Sequence, residues 1–234
     1  LDNTLWGGII GDDGVENIVL GQETAEGEAY QEVQEYLKLH KDLGIILNIS
    51  SKNEEENALL GLNSKDSILK PEDFIVIKAN WEPKNKSVNE IAKELELGED
   101  SFVFVDDNPA ERDIINQYNP TVSTPIINTA DNTIKTLDRN AYFEVLKITK
   151  EDLKKNEMYK QNSLRNKFMS TFEDYGSYLK SLNMKATIEN FIPIYMARIA
   201  QLTNKSNQFN LTTKRYSQSD IEQVSNDKNY ITLY

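Results

Sequence analysis

Short apolar runs alternate with helical periodicity between residues 25 and 125, a pattern typical of the βαβ units of a parallel sheet. The predicted strands are the apolar runs at 44–49, 74–77, 102–105 and 121–124. The helices between them each present one apolar face, formed by Val33, Tyr36, Leu37 and His40 and by Val88, Ile91, Ala92 and Leu95. The pattern predicts an α/β fold with a Rossmann-like parallel sheet.

The segment after the first predicted strand has the signals of a helix start. Asn53 is a favourable N-cap residue because its side chain can accept a hydrogen bond from the backbone of the first turn. Glu54, Glu55 and Glu56 follow it, where the helix dipole favours negative charge. We therefore expect a helix to begin at Asn53.

The pattern changes near residue 150 to long polar helices with no further βα repeat. We predict a catalytic domain over residues 1–147 and a second segment, helical at first, over 148–234. Residues 1–4 have the character of a loop that leaves a central strand. Because a parallel sheet without its middle strand would leave backbone groups unpaired, we expect the first strand to lie outside these residues.

Composition narrows the class of protein. The 234 residues include no cysteine, which excludes disulfides, thiolate metal sites and a cysteine nucleophile within this sequence. Acidic residues outnumber basic ones 38 to 26, and the net charge of -12 argues against a nucleic-acid partner. No run approaches the roughly 18 apolar residues of a membrane helix, and no signal-peptide pattern opens the chain. We expect a soluble, cytoplasmic protein without a membrane partner.

Four short motifs lie near the ends of the predicted strands, at the edge where open α/β sheets bind ligands. They occupy residues 1–8, 47–53, 80–84 and 102–112. Asp106 and Asp107 end an apolar strand and can bind Mg²⁺, which prefers oxygen ligands. Ser51 and Lys84 supply a hydroxyl and an ammonium group for a phosphate, and a helix starting near Asn53 supplies free N–H groups. This set of groups is suited to phosphoryl transfer.

In order and separation, these motifs resemble motifs one to four of the haloacid dehalogenase phosphotransferases. The wording is closest to the FkbH-like branch: Leu-Asp-Asn-Thr-Leu-Trp-Gly-Gly at 1–8, Ser-Lys-Asn at 51–53, Asn-Trp-x-x-Lys at 80–84 and Asp-Asp-Asn-Pro-x-Glu-Arg at 106–112. Residues 198–213 resemble a downstream signature of the same branch. The resemblance implies the haloacid dehalogenase fold, followed by a helical segment that leads into a truncated acetyltransferase-like domain. The glycine-rich stretch 6–20 predicts only a short β-hairpin flap, hence a minimal cap.

In that superfamily the nucleophile is the first aspartate of an Asp-x-Asp-x-Thr motif, which here would be the residue before Leu1. The resemblance implies that Asp2 acts as general acid and base, while its backbone carbonyl binds Mg²⁺. Asp107, with Asp106 beside it, would complete the metal site.

The resemblance also assigns the phosphate site. Ser51, Lys52 and Asn53 would bind the transferring phosphoryl group, and Lys84 would neutralise charge on the nucleophile and the phosphate. The expected substrate is a small phosphorylated acid.

FkbH-like proteins are associated with glyceryl transfer from bisphosphoglycerate to an acyl carrier protein. That reaction is thought to pass through a protein cysteine, whereas this sequence reads Ser50-Ser51-Lys52-Asn53 where related sequences often read Cys-Ser-Lys-Asn. Direct transfer to the carrier, a thiol outside these residues, and a plain phosphatase all stay open.

Each motif taken alone also has a structural interpretation. Residues 2–4 could form a turn or cap, Asp106-Asp107 a strand-ending turn, and 198–213 a solvated face. Trp81 is predicted to pack beside the lysine loop rather than to contact substrate. A catalytically inactive scaffold that binds phosphate or a carrier protein is the alternative from another class, and it would follow if the residue before Leu1 were not aspartate.

Overall fold

The computed structural model describes residues 1–144, 148–150, 152–205 and 210–234. It divides into two compact units, Leu1–Thr171 and Phe172–Tyr234. The domain boundary predicted after residue 147 falls beside residues 145–147, outside the described part of the chain, and stays a prediction. So does the acetyltransferase-like identity of the last residues.

The first unit combines two strands with helices on the described residues. The strands are β1 (Leu47–Ser51) and β2 (Phe74–Ala79). The helices are α1 (Ile10–Asp13), α2 (Ala25–Asp42), α3 (Glu55–Asn63), α4 (Lys84–Leu95), α5 (Pro109–Tyr118), α6 (Ala130–Arg139) and α7 (Lys155–Met169). Short 3-10 turns cover Pro71–Asp73, Glu99–Ser101 and Asp152–Lys154.

The second unit has its own small core, in which Met196, Ala200 and Ile221 are buried. Its elements are α8 (Tyr175–Ser181), a 3-10 turn at Pro193–Tyr195, α9 (Met196–Lys205) and α10 (Gln218–Asn226). Part of the predicted signature at 198–213 falls on residues 206–209, which lie outside the described residues. Among the described residues, none of the helices combines the length and the apolar character that crossing a membrane requires.

The parallel pairing predicted from the apolar runs is confirmed for the first two strands. β1 and β2 pair in parallel, from Leu47 opposite Phe74 to Ser51 opposite Ala79. The segments 102–105 and 121–124 instead form a separate parallel bridge at Val103 and Ser123. The two predicted strand pairs are thus parallel, and within the described residues they are not hydrogen-bonded to each other.

An apolar cleft of about 410 Å³ is lined by residues of β1 and of the 102–105 segment. Ile49 of β1 lines it, as do Val103 and Val105.

The main core holds the first motif against the sheet. Its buried members are Leu5, Trp6, Ile10, Val33, Leu47, Ile49, Leu62, Leu69 and Phe74. Trp6 is fully buried, and a Cβ atom at Gly61 would lie only 2.7 Å from its ring. The missing side chain at Gly61 thus lets α3 approach the indole closely, and burial of so large a side chain contributes on the order of 2–3 kcal/mol.

Gln34 lies in the middle of α2, and its side chain forms hydrogen bonds to two loops. Its side chain is fully buried, and its Nε2 donates to the Leu5 carbonyl at 2.8 Å. Its Oε1 accepts from Ser67 Oγ at 3.1 Å and from the N–H groups of Ile68 and Leu69, each at 2.9 Å. All of its polar atoms are therefore engaged, as burial of an amide requires.

The predicted flap is a loop closed at its base rather than a plain hairpin. Gly7 and Val19 exchange two backbone hydrogen bonds, at 3.0 and 2.8 Å. The short helix α1 lies within the loop, and Ile10 anchors it in the core. The small size of this flap agrees with the expected minimal cap.

Candidate active site

The first motif folds into a tight turn that fixes Asp2. The N–H groups of Thr4 and Leu5 both donate to the Leu1 carbonyl, at 3.0 and 2.8 Å, and Asn3 takes a left-handed conformation with φ of 51°. Asparagine is among the residues that tolerate this region best. The turn leaves the Asp2 carbonyl pointing toward the Thr4 hydroxyl, 3.3 Å away.

The Asp2 carboxylate receives three donors. Trp6 Nε1 donates to Oδ1 at 3.0 Å, and the Ile10 N–H donates to the same oxygen at 3.2 Å. Asn53 Nδ2 donates to Oδ2 at 3.0 Å. The first and second motifs are thus connected through this carboxylate.

Thr4 connects the first motif to the fourth. Its Oγ1 lies 3.3 Å from the Asp2 carbonyl and 3.3 Å from Asp107 Oδ1. One hydroxyl therefore brings the Asp2 carbonyl and the Asp107 carboxylate to the same place. That these groups form a metal site stays a prediction.

The second motif ends β1 at the site. Ser51 is buried, and its hydroxyl makes no hydrogen bond within the described part of the chain. Lys52 pairs with Glu111 of α5 at 2.7 Å, so its ammonium is engaged by the fourth motif in this state. Neither side chain bonds to Asp2, Asp106 or Asp107, and their role in phosphate binding stays a prediction.

Asn53 differs from its prediction as a helix cap. Helix α3 begins at Glu55, and Glu54 occupies the N-cap position without a side-chain cap. The Asn53 Oδ1 accepts from the Glu54 N–H at 2.8 Å, while its amide group turns to Asp2. Because Oδ1 accepts from the Glu54 N–H and from Asn57 Nδ2, it does not cap the free N–H groups of the first turn.

Lys84 and Asp106 form a buried ion pair. Lys84 is the first residue of α4, and its Nζ lies 2.5 Å from Asp106 Oδ2, with only 11% and 5% of the two side chains exposed. Asp106 Oδ1 accepts from the Asn108 N–H at 3.0 Å. Both oxygens of Asp106 are therefore engaged, in contrast to those of Asp107.

Arg112 stabilises the backbone of the fourth motif. It is buried, and its Nη1 donates to the carbonyls of Asp106 at 2.7 Å and Asp107 at 2.8 Å. A longer bond of 3.4 Å reaches the Ile127 carbonyl. The guanidinium satisfies carbonyls that the strand pairing leaves free, and it fixes the direction in which the two aspartates point.

The amino group of Leu1 lies at the centre of these charges. Burial lowers the pKa of this group, and Lys84 lowers it further, while Asp2, Asp106 and Asp107 act in the opposite direction. The Leu1 amino group is thus close enough to Lys84 and to all three predicted acidic residues for their charges to act on it.

The oxygen donors fit a magnesium ion. Among the described residues, no three histidine, cysteine or acidic side chains come together as a metal site. Mg²⁺, however, is usually held by one or two carboxylates, with water and substrate oxygens completing its octahedron. Asp107, whose Oδ2 makes no hydrogen bond in the described residues, supplies one such carboxylate, and the Asp2 carbonyl supplies a second oxygen donor. Asp106 would have to leave Lys84 to join them.

Sequence reasoning missed the roles of Thr4, Trp6 and Arg112. All three stand inside the quoted motifs. Thr4 bonds to Asp107 of another motif, whereas Trp6 and Arg112 bond to Asp2 and to the Asp106 carbonyl within their own motifs. It also misjudged Trp81, which is 68% exposed rather than packed, with its Nε1 donating to Glu54 at 2.7 Å.

One solved structure allows a comparison. The chain is similar to the N-terminal part of protein BF1531 from Bacteroides fragilis, whose crystal structure contains a phosphatase domain and is complexed with Mg. The sequence identity is 39%, the TM-score is 0.60, and the match covers 62% of this chain and 39% of that one. No protein-family model and no curated protein matches this chain. The chain thus shares the fold of a phosphatase domain and spans well under two thirds of that relative.

Proposed function

We propose that this chain carries the catalytic site of a Mg²⁺-dependent phosphatase of the haloacid dehalogenase type, which transfers phosphate through a phosphoaspartate. The observation that carries this proposal is the Thr4 hydroxyl placed between the Asp2 carbonyl and Asp107. The similarity to a phosphatase domain solved with Mg supports it.

Each of these residues has its own role in the proposed reaction. The Asp2 carbonyl and the Asp107 carboxylate would hold Mg²⁺, which when bound offsets the charge of the phosphoryl oxygens. The Ser51 hydroxyl and the Lys84 ammonium would donate to the same oxygens. Lys84 is kept close by Asp106 at 2.5 Å.

The nucleophile of this proposal is an aspartate directly before Leu1. The position of the buried Leu1 amino group, next to Lys84 and the three acidic residues, supports this assignment. The carboxylate attacks phosphorus, the ester P–O bond breaks, and Asp2 donates its proton to the leaving alkoxide. Asp2 then takes a proton from water, which attacks the acyl phosphate and releases inorganic phosphate.

The test uses the full-length protein with Mg²⁺ and a generic phosphate ester. We expect phosphate release and a labelled enzyme intermediate that hydroxylamine cleaves, as it does an acyl phosphate. Turnover that needs neither Mg²⁺ nor Asp107 would overturn the proposal. Phosphate binding without any turnover would instead favour the inactive scaffold.

We further propose that the specific reaction is glyceryl transfer from bisphosphoglycerate to an acyl carrier protein, because the motif sequences resemble those of the FkbH-like branch. The small flap closed by Gly7 and Val19 supports access for a large partner. In that reaction the carrier thiol attacks the acyl carbon and the acyl phosphate leaves, and hydrolysis of the remaining phosphate ester through the phosphoaspartate gives the glyceryl-carrier product. Incubation with bisphosphoglycerate and carrier protein separates the two activities: phosphate release without loading of the carrier leaves only the phosphatase.

A further inference from the structure

Two residues from different parts of the chain hold Asp2, the proposed acid and base, through hydrogen bonds. Trp6 is four positions away and fully buried in the main core, so its indole N–H cannot turn from Oδ1 without disturbing the packing. Asn53 is 2% exposed and comes from the far end of β1. The carboxylate is therefore held between the first motif and the start of α3.

The orientation of Asn53 is itself determined. Its Oδ1 accepts from the Glu54 N–H at 2.8 Å and from Asn57 Nδ2 at 3.3 Å. With Oδ1 occupied by these donors, the NH₂ group must face Asp2 Oδ2. The amide thus acts as a donor to Asp2 and not as an acceptor.

The two oxygens of Asp2 differ in what they can still accept. A carboxylate oxygen has about two lone-pair directions. Oδ1 already accepts from Trp6 and from the Ile10 N–H, whereas Oδ2 accepts from Asn53 alone. One acceptor direction is left, and it is on Oδ2.

We propose that Trp6 and Asn53 are positioning residues for Asp2, and that Oδ2 of Asp2 is the oxygen that gives and takes the proton. This inference rests on the proposed phosphatase function. A misplacement of about 1 Å in such a group can lower a rate by roughly a hundredfold, so loss of either donor should act on the chemical step.

The test compares two substrates with the full-length protein and Mg²⁺. Glycerol phosphate has a poor leaving group that needs the proton from Asp2, while 4-nitrophenyl phosphate has a good leaving group that needs it little. For Trp6→Phe and Asn53→Ala we expect kcat on glycerol phosphate to fall roughly ten- to a hundredfold. KM should change little, and the loss on 4-nitrophenyl phosphate should be much smaller.

Trp81→Phe is the matched control, because this exposed indole also donates to a carboxylate, that of Glu54. Its kinetics should equal those of the parent protein. A second comparison adds Trp6→Phe to Asp2→Asn, where no further loss is expected because the positioned group is already gone.

Equal losses on both substrates, or a further loss in the Asp2→Asn background, would assign Trp6 and Asn53 a merely structural role and overturn the inference. If Trp6→Phe does not fold, Asn53→Ala alone decides. A parent protein that cleaves neither ester would refute the proposed function itself, which is a distinguishable result.

Discussion

Thr4 Oγ1 lies 3.3 Å from Asp107 Oδ1, although the two residues are 103 positions apart in the chain. The contact joins the first and last motifs. It also places the Asp2 carbonyl, which the same hydroxyl approaches, beside an acidic side chain. The predictions below depend on this arrangement or on the packing that supports it.

Asp107→Ala should remove the metal-binding carboxylate and leave the fold intact, because this residue is half-exposed and not part of the core. We expect kcat on a phosphate ester to fall on the order of a hundredfold or more. Circular dichroism should show unchanged helix content. Full activity in this variant would refute the metal assignment.

Mg²⁺ should stabilise the parent protein against heat. A ligand that binds only the folded state at a hundred times its Kd adds about 2.7 kcal/mol to the free energy of unfolding. Thermal denaturation with and without Mg²⁺ measures this, and chelation with EDTA should reverse the shift. The same shift in Asp107→Ala would locate the ion elsewhere.

Lys84→Ala should destabilise the protein as well as inactivate it. Removal of one partner from the buried pair leaves Asp106 without compensation, which typically costs about 3–5 kcal/mol. Lys86→Ala is the control, since its pair with Glu82 is 61% exposed on both sides and its loss should leave the denaturation midpoint unchanged. Urea denaturation at neutral pH compares the two, and equal midpoints would contradict the burial of the Lys84 pair.

Asp73 should make stability depend on acidity. Burial alone would raise its pKa, but the hydrogen bonds from Lys41 and the Lys70 N–H, with the charge of Lys38, hold the pKa below its usual 3.8. Because the folded-state pKa is the lower one, this stabilisation is present above about pH 4 and is lost as pH falls through the folded value. Asp73→Asn should lower the free energy of unfolding at pH 7, and the difference from the parent should shrink below pH 4. A constant difference across this range would be evidence against the linkage.

Arg112→Lys should loosen the fourth motif, because an ammonium cannot reproduce the planar donor geometry of the guanidinium. We expect a loss of about 1–3 kcal/mol in stability, the usual effect of leaving buried carbonyls unpaired. Weaker binding of Mg²⁺ should accompany it, as measured by calorimetry. Arg165→Lys, at an exposed position on α7, serves as the control and should match the parent.

Elements that depend on local pattern were predictable from sequence. The apolar runs at 44–49 and 74–77 correspond to β1 and β2 with shifted ends, and Asp107, after the run at 102–105, lies beside Thr4 of the first motif. The pairing of the 102–105 segment was not predictable in this way. Long-range packing, and not the local apolar sequence, determines which strands pair.

The hydrogen-bond partners of side chains that have more than one suitable partner were also not predictable from sequence. Asn53 has every local feature of a helix cap, yet its amide bonds to Asp2 and the helix begins two residues later. Trp6 likewise looks like an ordinary core residue, and only the fold reveals that its N–H reaches a carboxylate. Sequence gave the identity of the site groups, while their mutual orientation required the structure.

The fully engaged amide of Gln34 restrains the turn that carries Asp2. If the Leu5 carbonyl moved, the buried Nε2 of Gln34 would lose its acceptor, so the first motif should resist displacement. Lys52 is 38% exposed, but the Glu111 side chain is only 10% exposed, so release of the lysine would leave a buried carboxylate without its partner. A phosphate that binds Lys52 therefore has to compensate for the loss of this pair, while the Asp2 turn stays in place.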